Sequence, residues 1–468
     1  MVVRRFTALL LAVVTVTVLG GAALAGEAAT TGPAPEAAPA AATPQKAPEA
    51  RPLSLEDAIG LAIHNNPSVE IANQQIKANV GVVTQATSAA FPKVNVTTTR
   101  TTPVNQPAFS FRSQGTSWET DFSLTQTLYS WGAVGKGMQA ARELLDSSRG
   151  VYVRTQDQVA FATRQVYYGV LSAQEGVKVQ YEILAAAQEQ QRIARLRQEA
   201  GIAPLYDVLS AEARVARVQQ QVATAEGAMN IAWANLSRTL GCEIATDTAL
   251  TSTRLETAKE GVLPELVRSA QANRPDVKAV EALVTANEAR LAAVRVGKLP
   301  TLSGILGYSL VPQATLSIDS GTEITVSQNS GFVALAANWD LYDGGLVFGQ
   351  TVSAEAQLEQ SRQALRQLQL EVESQVKNAY YVIETTKAQI TAAQKEVEQA
   401  TEAKRIADVR YREGVSTSVE VLDAQQTLGD AKNRLNSAIF NFNVAIAELD
   451  LAAGRSVTQA LPPGPRER

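Results

Sequence analysis

Residues 412–435, REGVSTSVEVLDAQQTLGDAKNRL, decide the fold because their pattern occurs twice in the chain. Gly414 in this stretch corresponds to Gly201, and Glu420-Val421-Leu422 corresponds to Asp207-Val208-Leu209, each at a distance of 213 residues. Glycine suits the left-handed position that follows the end of a helix. Each copy is therefore predicted to turn the chain from one helix back into another, and the constant distance indicates two similar structural units.

Outward from this stretch, the repetition covers nearly all of the chain after residue 52. The distance is 213 residues for Gly241 and Gly454 but 208 residues for Pro67 and Pro275, which indicates a five-residue insertion in the second copy. These distances divide the chain into a first repeat at 53–241, an inter-repeat segment at 242–261, a second repeat at 262–454 and a C-terminal tail at 455–468.

Each repeat contains a proline-free stretch that predicts a very long helix, at 132–200 and at 345–413. At 1.5 Å per residue, each helix would span about 100 Å. Two shorter predicted helices, at 67–90 and 204–240, together match the length of the first long helix. In the second repeat, the predicted helix at 417–453 corresponds to the one at 204–240. Apolar residues of the second long helix fall on two heptad positions, as in a coiled-coil seam: Leu365, Val372, Ala379, Ala393, Ala400 and Ala407 on one, and Val376, Ile383, Ile390 and Val397 on the other.

Between the helices lie segments in which apolar and polar residues alternate, as they do in β-strands. The even positions of 118–129 are mostly apolar and the odd positions mostly polar, and 301–310 and 335–341 alternate in the same way. The pattern predicts four strands, two in each repeat. The alternation fits a barrel in a membrane and also a sheet that covers a water-soluble core.

The N-terminus has the features of a secretory signal peptide. Arg4 and Arg5 precede an apolar run at 6–19, and Ala23-Leu24-Ala25 offers small residues for cleavage. We predict a signal peptide at 1–25; the alternative is an uncleaved anchor, for which the run is shorter than the roughly 20 residues of a membrane span. Residues 26–52 are rich in Ala and Pro and are predicted to form a flexible linker.

The composition argues against several functions. The formal net charge of −4 does not indicate a basic surface for nucleic acid. One histidine, His64, and one cysteine, Cys242, make a His/Cys metal cluster or a Cys–His nucleophile a poor interpretation. Counting residues does not exclude carboxylate or serine chemistry, but the sequence offers no convincing constellation for a hydrolase. We predict no catalytic residues, no cofactor, no metal site and no nucleic-acid partner, and we expect His64 to be a structural or exposed histidine and Cys242 a partly buried thiol without a function.

Four strands cannot close a barrel by themselves, so strands in a membrane would have to be shared among several chains. Several segments of the sequence resemble those of a known protein family. The chain resembles the TolC-like outer membrane efflux protein family over roughly 53–454. The matching segments are LSLEDAIGLAIHNNPSVEIANQQI at 53–76, LPELVRSAQANRPDVKAVEALV at 263–284, LYDGG at 341–345 and the stretch at 412–435.

The resemblance implies an α+β membrane protein of the Gram-negative outer membrane, with an internally duplicated chain, four β-strands and long antiparallel coiled-coil helices. It implies a homotrimer that forms a twelve-stranded β-barrel in outer membrane lipid and a periplasmic α-helical tunnel. In such a barrel, the strand tips would carry loops at 103–115 and 311–330 outside the cell. The implied function is a passive exit duct for efflux or type I secretion. The implied partners are a periplasmic adaptor and an inner membrane pump of the RND, ABC or MFS type.

The resemblance also implies a gate at the periplasmic tip, near the turns at Gly201 and Gly414. Glu420 and Asp423 match the family's acidic pair, Asp207 matches its acid in the first copy, and Tyr411 matches a tyrosine of the closing link. Three chains would arrange these carboxylates as acidic rings. Ser416 departs from the family, because some members carry a basic residue there. The acids are equally typical of the first turn of a helix, where the helix dipole favours negative charge.

Three aromatic residues, Trp118, Tyr308 and Trp339, are expected near the lipid–water boundary, although packing in a core would also explain them. The alternative function is a soluble periplasmic adaptor or coiled-coil scaffold of an efflux assembly. Such an adaptor is expected to contain one helical hairpin, whereas this sequence predicts two.

Overall fold

The computed structural model describes residues 52–102, 117–246, 248–251, 261–318 and 322–455. The predicted signal peptide, nearly all of the linker, the loop at 103–115 and all of the tail except Arg455 lie outside the described residues.

The helices of the first series are preceded or opened by residues that suit a helix start. Ser54 caps the first helix, since its side chain accepts a hydrogen bond from the Asp57 N–H at 3.1 Å. Pro67 occupies the first turn of the second helix, and Gly132 precedes the third in the left-handed conformation. The helices are α1 Leu55–Asn65, α2 Pro67–Ser88, α3 Ala133–Glu199 and α4 Leu205–Leu240.

The second series has the same order and nearly the same lengths. The long helices α3 and its counterpart both contain 67 residues, within one residue at each end of the predicted stretches. The helices are α5 Leu263–Asn273, α6 Pro275–Arg295, α7 Leu346–Arg412 and α8 Ser418–Ala452, with a short 3₁₀ turn at Val296–Lys298 between α6 and the next strand. The observed elements confirm the internal duplication; the exact repeat boundaries stay a prediction.

Shorter helices cover the seam of each long helix. α3 packs against α1 and α2 along one part and against α4 along another, and α7 packs likewise against α5, α6 and α8. Val372, Val376 and Ala379 of the predicted seam are fully buried. Burying a valine side chain contributes roughly 1.5–3 kcal/mol, so the seam holds each hairpin together.

The two repeats are packed against each other through α3. α6 contacts both α3 and α7, and α8 also contacts both long helices. At Gly429 in α8, a Cβ atom would lie 2.5 Å from Cδ1 of Ile183 in α3, so the two helices approach closely here and a larger residue would require the Ile183 side chain to move. The chain therefore does not consist of two independent hairpins.

A buried charge cluster fastens the two repeats near the middle of the long helices. Arg274 is 1% exposed, and its Nη2 lies 2.6 Å from Oδ2 of Asp276. Nε of Arg154 in α3 lies 3.3 Å from the same carboxylate oxygen. The Arg274 Nη1 donates to Oε1 of Gln375 at 2.7 Å and to the Ala452 carbonyl at 3.3 Å. Four helices thus meet around Asp276.

The sheet is antiparallel, with the strand order β1-β2-β3-β4. The prediction of a loop over 311–330 is wrong, because β3 and β4 run through most of this segment and pair there. Residues 311–318 and 322–328 are rich in threonine and branched aliphatic residues, which favour extended backbone. The strands are β1 Lys93–Thr101, β2 Ser117–Tyr129, β3 Thr301–Ile318 and β4 Thr322–Asn338.

The register puts apolar side chains on one face of the sheet and polar ones on the other. Residues that pair across an antiparallel ladder share a face, and Val96, Phe122 and Tyr308 lie side by side through two such pairings. On the opposite face, Asp121 lies between Thr97 and Ser309. The apolar face also carries exposed residues from all four strands: Val94, Trp118, Leu306, Val333 and Leu335.

Candidate functional site

The tip of the molecule is formed by two turns of the same geometry. Gly201 and Gly414 have φ angles of 73° and 75°, which is the left-handed region that favours glycine. The N–H after each glycine donates to a carbonyl five residues earlier, Ile202 to Arg197 at 2.8 Å and Val415 to Arg410 at 2.9 Å. This is a Schellman turn, and it ends both long helices at the predicted glycines.

The predicted acidic residues lie just beyond these turns. Glu420 is in the first turn of α8, and its Oε2 lies 3.4 Å from Nη1 of Arg410. Both side chains are about half exposed, so this ion pair contributes little to stability. Asp423 is exposed one turn further on, and Asp207 occupies the equivalent first turn of α4. Among the described residues, neither Asp207 nor Asp423 forms an ion pair.

Tyr411 lies in a small core that joins the two hairpins. Its side chain is 6% exposed and clusters with the buried residues Ala407 and Val421, against Ile193 of α3. The guanidinium carbon of Arg197, in the last turn of α3, lies 4.3 Å from the centre of the Tyr411 ring. A cation at this distance over an aromatic face is attracted to it, so this contact holds the ends of α3 and α7 together.

The sequence analysis did not predict a role for Arg197 at the tip, although the internal repeat points to this residue. Arg197 is the counterpart of Arg410 at the distance of 213 residues, and both lie in the last turn of a long helix, where a basic residue is typical. The pairing of Arg197 with Tyr411 depends on how the two hairpins pack, which no local pattern describes.

Ser416 lies in the turn between α7 and α8, with its hydroxyl oxygen enclosed. Among the described residues, this oxygen has no hydrogen-bond partner. Within one chain, this hydroxyl therefore makes no hydrogen bond to a neighbouring helix among the described residues.

Polar contacts between α3, α4 and α8 continue above the tip. Nζ of Lys432 in α8 lies 2.5 Å from Oε2 of Glu182 in α3, and Nη2 of Arg214 in α4 donates to Oε1 of Gln426 at 3.4 Å. The first contact is exposed and the second is partly buried. Like the Tyr411 core, both connect the first hairpin to the second. The tip is thus a joined pair of hairpins within each chain.

The three predicted boundary aromatics lie at different heights on the sheet. Trp339 follows β4 at the helical end, where its Nε1 donates to the Lys298 carbonyl at 3.1 Å. Trp118 lies towards the opposite end of β2, and Tyr308 lies between these levels, packed across Gly331. All three are about half exposed in the single chain. Core packing within one chain therefore does not account for them.

The two structural candidates lie away from the tip. His64 is exposed in the last turn of α1, and Cys242 is partly buried beside the end of α4. Burial raises the pKa of the Cys242 thiol, which makes it a poor nucleophile. Among the described residues, no group of His, Cys, Asp and Glu could hold a metal ion. None of the described helices is both long and apolar enough to cross a membrane.

Comparison with known proteins identifies the family. The family model described as outer membrane efflux protein matches residues 58–242 and 266–455, one match for each repeat. The chain belongs to the outer membrane efflux protein family. It is accordingly a channel protein of the Gram-negative outer membrane with a large periplasmic portion, and not an enzyme.

Individual members of the outer membrane efflux protein family match along most of their length. Protein CyaE of Bordetella pertussis is 28% identical over 431 residues, covering 89% of this chain and 88% of that protein. Outer membrane protein TolC of Vibrio cholerae is 24% identical over 413 residues, covering 86% and 90%. The pyoverdine export outer membrane protein OpmQ of Pseudomonas putida is 26% identical over 331 residues, covering 70% and 68%. The solved structure of CusC shares the fold, with a TM-score of 0.74, 17% identity and coverage of 89% and 97%.

Proposed function

We infer that three copies of the chain share one twelve-stranded barrel in the outer membrane and continue as a helical tunnel in the periplasm. The sheet carries this inference, because it has one exposed apolar face, one polar face and two unpaired edges, at β1 and β4. An open sheet edge in lipid leaves backbone N–H and C=O groups without partners. Pairing β1 of one chain with β4 of the next removes both edges and gives an even number of strands.

The channel is proposed to be the exit duct of a tripartite efflux or type I secretion system. A relative named for pyoverdine export supports a role in export. A duct across the outer membrane contains no energy source, so an inner membrane pump of the RND, ABC or MFS type would supply it. A periplasmic adaptor would connect the pump to the tip at Gly201 and Gly414.

The gate is proposed to lie at this tip. In a trimer, Asp207, Glu420 and Asp423 would each contribute three carboxylates around the axis, and such rings favour cations. Arg410 neutralises part of the charge of Glu420, so the rings of Asp207 and Asp423 would carry most of the selectivity. Opening would require the ends of α3 and α7 to separate, which breaks the contact between Arg197 and Tyr411. Because Ser416 forms no charged link, this contact would be the main polar restraint between the ends of α3 and α7.

The soluble adaptor or scaffold is not favoured, since the family match covers both repeats. Reconstitution of the purified mature protein into planar bilayers separates the two functions. A duct produces discrete single-channel currents, with a low conductance that reflects the closed tip. A scaffold produces no channels at protein concentrations where the duct does so reproducibly.

A further inference from the structure

The apolar face of the sheet carries one charged residue among the described side chains, Arg100 near the end of β1. The other described charges of the strands, Lys93, Glu119 and Asp121, lie on the polar face. A charge that faces lipid is tolerated near the headgroups and is unfavourable at the midplane. The position of Arg100 along the strand therefore decides what it can bind.

The side chains along β1 and β2 change from apolar to polar towards Arg100. The pairs Val94–Leu124 and Val96–Phe122 are apolar, and the next pair on this face joins the hydroxyls of Thr98 and Thr120 at 3.2 Å. Arg100 pairs with Trp118 one step further, and its guanidinium carbon lies 5.5 Å from the centre of a Trp118 ring. This order is the one expected across the boundary between hydrocarbon and headgroups.

The height of this pair agrees with such a boundary. Trp131 marks the helical end of the sheet, where its Nε1 donates to the Pro300 carbonyl at 2.8 Å and its ring contacts Tyr129. Trp118 lies eleven residues from Tyr129. At about 3.3 Å per residue and a tilt of about 40°, this corresponds to about 28 Å, against about 25 Å for the apolar band of a barrel. Arg100 and Trp118 thus lie at the outer edge of the band.

We propose that Arg100, held over Trp118, binds the phosphate of a lipid headgroup in the outer leaflet. Among the described residues, no carboxylate forms an ion pair with Arg100, while its planar guanidinium suits bidentate bonding to phosphate. The Trp118 ring restrains the side chain and lies among the acyl chains beside it. This proposal rests on the shared barrel proposed above.

The test uses the full-length mature protein in detergent, titrated with phosphatidylglycerol or with diacylglycerol, which lacks a phosphate, and observed by native mass spectrometry. The wild type should retain phosphatidylglycerol in preference, with up to one tightly held lipid for each chain. Arg100→Gln should weaken this retention about tenfold, and Arg100→Lys should restore part of it. Lys93→Gln is the matched control, because it removes a positive charge from the other face of β1.

Each outcome of this titration is decisive. Equal retention by the wild type and Arg100→Gln would overturn the lipid assignment, and so would displacement of the lipid by millimolar inorganic phosphate. If the same spectra show a particle of three chains, such a result contradicts the lipid assignment but not the shared barrel. A wild-type particle without three chains would instead contradict the shared barrel.

Discussion

Arg197 and Arg410 occupy equivalent positions in the last turns of the two long helices, yet they contact different partners. Arg197 lies 4.3 Å from the centre of the Tyr411 ring in the other hairpin, whereas Arg410 lies 3.4 Å from Glu420 in its own. The duplicated tip is therefore chemically asymmetric. Separation of the hairpins breaks the contact of Arg197 and leaves that of Arg410 intact.

Arg197→Gln should increase the conductance of the closed channel. The substitution removes a cation–π contact of roughly 0.5–2 kcal/mol, which shifts a two-state gate towards opening by about a factor of 2 to 30. Single-channel recording in planar bilayers measures this shift. Arg192→Gln is the control, because Arg192 pairs with Glu189 on its own helix. Equal conductance in both variants would contradict a restraint at Tyr411.

Asp423→Asn should reduce the preference of the channel for cations. A unit charge about 10 Å from the ion contributes about 0.4 kcal/mol in water, or about a factor of two, and each ring would hold three such charges. The reversal potential in a gradient of dilute KCl gives the permeability ratio. Glu402→Gln removes the same charge from the long helix at a site paired with Arg405. If Glu402→Gln reduced the preference for cations as much as Asp423→Asn does, the selective ring would not be the one at Asp423.

Gly414→Ala should destabilise the tip. The left-handed conformation at φ 75° costs a residue with a Cβ atom about 1–2 kcal/mol. Circular dichroism at a fixed heating rate should show a lower unfolding temperature than in the wild type. Gly227→Ala is the matched control within α4, where no atom lies within 4 Å of the new Cβ and alanine favours the helix. If Gly227→Ala lowered the unfolding temperature as much as Gly414→Ala, the destabilisation could not be assigned to strain in the turn.

Asp276→Asn should be strongly destabilising, by about 3–5 kcal/mol, because Arg274 would remain buried without its charged partner. Burial by itself raises the pKa of Asp276, but hydrogen bonds from Arg274 and the positive charges of Arg154 and Arg274 outweigh it. The net effect lowers the pKa below its ordinary value of 3.8.

The lowered pKa of Asp276 determines the sign of the pH dependence. The carboxylate contributes its full stability above about pH 4 and loses it as the pH falls through the lowered folded-state pKa. Unfolding temperatures between pH 6 and pH 2.5 should therefore decrease less steeply in Asp276→Asn than in the wild type. Asp146→Asn, at an exposed pair with Arg149, should retain the wild-type slope. Parallel slopes for the wild type and Asp276→Asn would rule out this role of the cluster.

Most of the fold could be predicted from local patterns. The ends of α3 and α7 follow from Gly132, Gly201, Gly345 and Gly414, since left-handed backbone at a helix end requires residues of this type. The alternation along β2 and β3 predicted their apolar face, because side chains on a strand alternate regardless of what the sheet covers.

The parts that were missed depend on contacts between distant segments. The β3–β4 hairpin is longer than predicted because its polar, threonine-rich end resembles a loop until it is paired. The contacts of Arg197 with Tyr411 and of Arg154 with Asp276 join the two repeats. The sequence distance that revealed the duplication carries no information about how the two copies pack, so these partners became visible only in the structure.

The most direct test of the shared barrel is the native mass of the protein, extracted by detergent from alkali-washed outer membranes. We expect the protein to stay in the washed membrane fraction and the extracted particle to contain three chains. A monomer or dimer released by the alkaline wash would contradict the shared barrel, and with it the duct and the gate at its tip.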